Sequence, residues 1–146
     1  MLLEQSIEIQ ASPEVVEHCI SDRDLMHRWL NPMLTCEPIG TWSTQLNSRS
    51  RFIIKIPLWK PSLESKVIQR ESGLIVWEFQ GFFQGCDRWE CQPIARGTKL
   101  INRFEFTIPN PLVSFGFNAF AATLTKQDME AQLKRLKLLA EGLKTS

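Results

Sequence analysis

Toward the C-terminus, apolar positions recur in steps of four and three: Met129, Leu133, Leu136, Ala140 and Leu143 share one helix face. Leu139 widens that stripe. Gln127, Glu130, Lys134, Lys137, Glu141 and Lys144 take the other side, with Glu130–Lys134 and Lys137–Glu141 spaced to pair across one turn. Asn110 suits a helix cap and Pro111 the first helical position, so the pattern predicts a helix over 110–143. At ~1.5 Å per residue it would be about 50 Å long, and only a wide apolar surface could cover its stripe. Thr125 followed by Asp128 is a second capping signal, which predicts a kink or short break between Ala122 and Lys126.

Earlier in the chain the period is two. Leu3, Gln5, Ile7 and Ile9 alternate with polar neighbours, which predicts a half-buried strand over 3–10. Ser12-Pro13-Glu14 starts a short helix with Val15, Val16, Cys19 and Ile20 inward, and Ser21 with Asp24 starts a second, ended by Asn31-Pro32. Strands are predicted over 33–38, 41–47, 51–58, 63–69, 74–82, 87–94 and 98–108, with a loop or bulge where Pro57 and Pro61 bracket Trp59-Lys60. Glu71-Ser72-Gly73, Gly85 and Arg96-Gly97 mark turns between the later ones. The two weakest of these segments, 33–38 and 41–47, leave the strand count at six or seven.

Strands joined by short turns, with helices set apart from them, imply an α+β fold with a curved antiparallel sheet. Two short helices follow its first strand, and the long helix lies across its open side. A curled sheet gripping one helix leaves room for a ligand cavity. With 146 residues, 43% hydrophobic and 23% charged, the chain fits a single domain spanning 1–146. The net charge of +1 and the lack of a Lys/Arg cluster argue against nucleic acid. No apolar run reaches membrane-span length, and Glu4 and Gln5 interrupt any signal-peptide core, so an intracellular, cytoplasmic protein is expected. Cys19, Cys36, Cys86 and Cys91 lack tight spacing and read as free thiols.

Three segments together resemble the START-like (SRPBCC) superfamily, in its polyketide cyclase/dehydrase-type branch. They are Ala11-Ser12-Pro13-Glu14-Val15-Val16, Asp22 with Trp29 seven residues on, and Gly97-Thr98-Lys99-Leu100. The resemblance covers nearly the whole chain and implies a helix-grip fold, in which the sheet wraps the last helix around an apolar cavity. Members bind lipids, quinones, polyketides, sterols or plant hormones, and only some catalyse a reaction. The absence of tyrosine removes one common hydroxyl donor from such a pocket.

His18 and His27 stand nine residues apart and, with the cysteines, show no metal-ligand spacing; no glycine-rich phosphate loop follows a strand. No metal and no cofactor are therefore expected. Each histidine reads as exposed or partly packed, or else as a general base at the cavity mouth. Trp77, Phe79, Trp89, Phe104 and Phe106 alternate with polar residues and face the concave side, as core or as cavity lining. Asn102 shares parity with Leu100 and Phe104, and Ser65 with Leu63 and Val67, so each needs a partner or a ligand. Glu78, Arg88, Glu90, Arg103 and Glu105 have the opposite parity and read as cross-strand surface pairs. Phe115, Phe117 and Phe120 are more than one helix face can bury, and they offer a ligand gate or a patch for a membrane or partner.

Parity places no titratable side chain in the cavity. The leading expectation is therefore a soluble binding protein for a small hydrophobic or amphipathic molecule, monomeric or homodimeric. Its site would be Trp77, Phe79, Trp89, Asn102, Phe104, Phe106 and Phe115. The alternatives are a polyketide cyclase or dehydratase using the same cavity, and a lipid-transfer or interaction module docking through 115–120.

Overall fold

The period-two segments form seven strands and the helical ones three helices in a computed structural model, which describes residues 1–55, 61–81, 84–107 and 122–144. In chain order they are β1 (Leu2–Ile9), α1 (Pro13–Ser21), α2 (Arg23–Trp29), β2 (Leu34–Pro38), β3 (Arg49–Ile54), β4 (Ser62–Glu71), β5 (Leu74–Gly81), β6 (Gln84–Ile94), β7 (Gly97–Thr107) and α3 (Ala122–Lys144). The strands make one antiparallel sheet in the order β1-β7-β6-β5-β4-β3-β2. Twist curls that sheet into a half-barrel around α3, which is the helix-grip α+β architecture expected from the sequence.

The stripe on α3 behaves as its spacing predicts. Met129, Leu133, Leu136 and Ala140 are all buried, the last two completely. The backbone of α3 runs closest to β1, α1 and α2. Arg135 donates from Nε to the Trp29 carbonyl at 2.9 Å, giving an open carbonyl at the end of α2 a cationic partner. Glu17 and Arg70 pair at 2.6 Å in a largely buried setting and hold α1 on the β4–β5 hairpin, where Glu17 also accepts from the Gly73 N–H.

Gly97-Thr98 has a packing reason. Gly97 adopts φ +142°, and a Cβ there would lie 2.2 Å from the Ile9 carbonyl oxygen. Thr98, fully buried, donates from its hydroxyl to the Ala11 carbonyl at 2.7 Å, which ties β7 to the start of α1.

Several expectations need correction. Asp22, not Ser21, caps α2, because its carboxylate accepts from the Leu25 N–H at 2.9 Å. Residues 41–47 form no strand; Gly40 and Asn47, at φ 86° and 71°, turn the chain out of extended geometry at both ends. From Ala122 the helix continues without a break, so Thr125 and Asp128 lie within it rather than at a new start. Lys137 pairs with Glu141, but Glu130 makes only a 3.5 Å contact with Gln5. Arg88 pairs with Glu90 along its own strand rather than across strands. The expected cap at Asn110-Pro111, the Trp59 loop and the 115–120 patch lie outside the described residues.

Candidate functional site

Between the concave face of the sheet and the helices α2 and α3 lies a cavity of about 350 Å³. Its sheet wall comes from Phe52 on β3, Leu63 on β4, Trp77 and Phe79 on β5, Trp89 on β6 and Phe104 on β7. Met26 and Trp29 on α2 and Met129 on α3 close the other side. Strand parity explains the wall, since these residues occupy inward positions while Glu64, Glu78, Arg88 and Arg103 alternate with them.

The rings are arranged edge to face. Phe52 meets Phe79 at 5.5 Å between centroids, and Phe79 meets Phe104 at 6.4 Å. Gly85 makes this possible. It pairs with Phe79 on one side and Phe106 on the other, on the inward parity of β6, and so puts no side chain between those two positions. Phe106, expected in the site, is not among the lining residues; it stacks against Phe104 at 4.7 Å. Phe115 lies outside the described residues.

Asn102 does face the cavity, and its partner is the residue that parity overlooked. Asn102 Nδ2 donates to Asp87 Oδ1 at 2.6 Å and to the Arg88 carbonyl at 3.2 Å. Trp89 Nε1 donates to Asp87 Oδ2 at 2.9 Å. Burial pushes the Asp87 carboxyl up to about 6, partly opposed by the hydrogen bonds from Asn102 and Trp89. Asp87 is half-buried and lines the cavity. The signal was present in the sequence, because Asp87 stands two residues before Trp89 and shares its face. A second acidic group comes from α3: Asp128 accepts from Asn31 Nδ2 at 2.9 Å and from Gln132 Nε2 at 2.6 Å, and all three line the cavity.

Other candidates resolve differently. Ser65 bonds to Ser50 and lies away from the lining, and both are buried. His27 Nε2 accepts from the Cys36 N–H at 3.0 Å, so Nδ1 carries the proton it donates to the Arg23 carbonyl at 2.8 Å. His18 is exposed on α1 beside a separate shallow hollow. Neither histidine lines the cavity. The four cysteines are free; burial pushes the Cys19 and Cys36 thiols up to about 11 and Cys91 to about 12.

The family profile described as polyketide cyclase / dehydrase and lipid transport matches residues 2–141. No curated protein matches the chain. Among solved structures, TTHA0849 from Thermus thermophilus is similar with a TM-score of 0.79 at 16% identity, covering 98% of this chain and 99% of that one. CV1439 from Chromobacterium violaceum is similar with a TM-score of 0.75 at 14% identity, covering 96% of each chain. SA2116 from Staphylococcus aureus, a protein of unknown function, gives 0.74 at 11%, covering 100% of this chain and 96% of that one. At such identities the likeness is one of fold.

Proposed function

This chain belongs to the polyketide cyclase/dehydrase and lipid transport family of START-like proteins, and on that premise we propose that it binds a small hydrophobic or amphipathic molecule. The ligand, lipid-, quinone- or polyketide-like, would sit in the cavity between sheet and α3. The observation that carries this reading is the cavity itself: about 350 Å³, walled by aromatic rings, with polar groups confined to a few positions. Affinity would come from burial, about 25 cal/mol per Å² of apolar surface removed from water. Among the described residues no helix is long and apolar enough to cross a membrane. Four free thiols accord with a cytoplasmic setting.

Native mass spectrometry of freshly purified protein tests the binding reading directly. A co-purified small molecule, lost when Phe79 is replaced by a polar residue of similar size, is the expected result. Protein that carries no molecule and fails to enhance a neutral apolar fluorophore would overturn it.

One observation favours a second reading, a cyclase or dehydratase in the same cavity. Burial pushes the Asp87 carboxyl up to about 6 inside an apolar site, which suits a group that takes a proton from carbon and returns it to oxygen. Turnover of a β-hydroxy ketone that disappears in Asp87→Asn, with binding retained, would establish it.

A further inference from the structure

The polar groups of the cavity are uneven in charge. Asp87 and Asp128 line it, whereas no lysine, arginine or histidine does so among the described residues. Asp87 sits on β6 opposite Trp77 of β5 and Phe104 of β7, so its strand neighbours on that face are neutral. The lining residues of α2, Met26 and Trp29, are neutral as well, and the charged group that α3 turns to the cavity is Asp128. Arg88 and Arg103 pair with each other in the ladder on the outward parity.

Several of the donors nearby are committed to these carboxylates or to backbone carbonyls. Asn102 points its amide N–H groups at Asp87 and at the Arg88 carbonyl; both partners can only accept while Asp87 is ionised, so the amide orientation is chemically fixed. Trp89 spends its indole N–H on Asp87, and Trp29 spends its own on the Cys19 carbonyl. Asn31 and Gln132 turn amide donors onto Asp128. An ionised carboxylate offers about four acceptor positions, and Asp87 has used two. The Asn102 carbonyl oxygen adds another acceptor on the same wall.

Resting on the binding reading above, we propose that the cavity selects amphiphiles whose head group donates hydrogen bonds, a hydroxyl or an ammonium, and rejects those ending in a carboxylate, with Asp87 as the anchoring group. A hydroxyl or ammonium head meets free acceptor positions on Asp87 and Asn102 while its apolar body lies along the Phe52–Phe79–Phe104 rings. A carboxylate head would meet two like charges with no countercharge among the described residues, in a low-dielectric site where repulsion is poorly screened. Protonation of Asp87 below about 6 removes the charge that favours an ammonium over a hydroxyl.

The test uses the full chain, a neutral fluorophore (N-phenyl-1-naphthylamine) and three chain-matched competitors: decanol, decylamine and decanoate. At about pH 8, decanol and decylamine should displace the fluorophore at concentrations at least about tenfold below decanoate. Decylamine should outcompete decanol several-fold there, lose most of that advantage at about pH 5, and keep only the smaller remainder due to Asp128 at both pH values in Asp87→Asn. Decanoate competing as well as decanol at about pH 8 would overturn the proposal, as would a folded Asp87→Asn protein with the ranking unchanged. Should Asp87→Asn fail to fold, Asp128→Asn gives the same reading: decanoate should gain several-fold and decylamine lose, and an unmoved ranking counts against the proposal. A fluorophore that never binds the unaltered protein defeats the binding reading and this inference together. Binding with no preference among the three heads defeats the inference alone.

Discussion

Trp29 of α2 and Trp89 of β6 meet with ring centroids 5.1 Å apart and planes tilted by 55°, joining the short helix to the sheet at the cavity wall. Each indole N–H is fixed by a different partner, Trp29 by the Cys19 carbonyl at 2.8 Å and Trp89 by Asp87. Trp29 therefore links α1, α2 and the sheet at one point. Trp29→Ala should cost about 3–5 kcal/mol in chemical denaturation. Trp29→Phe, which keeps a ring but strands the Cys19 carbonyl, should cost less. Equal losses for both variants would mean that the hydrogen bond, not the packing, carries the contact.

Asp87 should leave a signature in stability against pH. Its carboxyl lies at about 6 in the folded chain against an ordinary 3.8. Between those values the folded state holds more protons than the unfolded one, so this group's contribution falls as pH rises through the window and is level above it. Asp87→Asn removes the fall. The midpoint of the variant minus that of the unaltered protein should thus be larger at about pH 7.5 than at about pH 4. A difference that stays constant across the window would contradict the burial of this group.

Gly85 is, among the described glycines, the one with the closest backbone neighbour to an added side chain. A Cβ there would lie 2.0 Å from the Glu105 carbonyl oxygen and 2.6 Å from the Phe106 Cα, both backbone atoms. Gly85→Ala must push β6 away from β7 and should cost at least about 1–3 kcal/mol. It should also weaken binding of a neutral apolar fluorophore, because Phe79 and Phe104 lose their contact. Unchanged melting would show that β6 can shift freely.

The Glu17–Arg70 pair is 13–19% exposed at its side chains, so removing one partner leaves the other charge poorly solvated. Arg70→Met should cost about 3 kcal/mol, and the double variant with Glu17→Leu should recover part of that loss. A double variant no more stable than Arg70→Met alone would show that the charge left on Glu17 is not what makes the single change costly.

Periodicity made the architecture legible. The face carrying Met129, Leu133, Leu136 and Ala140 is buried as its spacing demands, and period-two alternation located the inward aromatics of β5, β6 and β7. It was less able to read the polar groups. Asp87 has the parity of Trp89, but a carboxylate on an inward position conflicts with burial unless a partner such as Asn102 is known, and that pairing joins residues 15 apart on two strands. Asp128 was hidden for a similar reason: it shares the helix face of Met129 and Gln132, but its partner Asn31 lies 97 residues away in sequence. The 41–47 segment failed as a strand because Asn47 adopts positive φ, which composition alone does not demand.

The sheet order has a consequence for how the chain reaches its fold. Every neighbouring pair of strands is consecutive in sequence except β1 and β7, where Leu2 aligns with Glu105 and Ile9 with Thr98. During synthesis the hairpins from β2 to β6 can close as they emerge, whereas the strand made first waits for the one made last. Until then its amide row has no partner within the sheet, although every later strand except β7 has already found one. Pulse-labelled hydrogen exchange during refolding should accordingly show amides of β4, β5 and β6 protected before those of β1, making the start of the chain the final piece to lock.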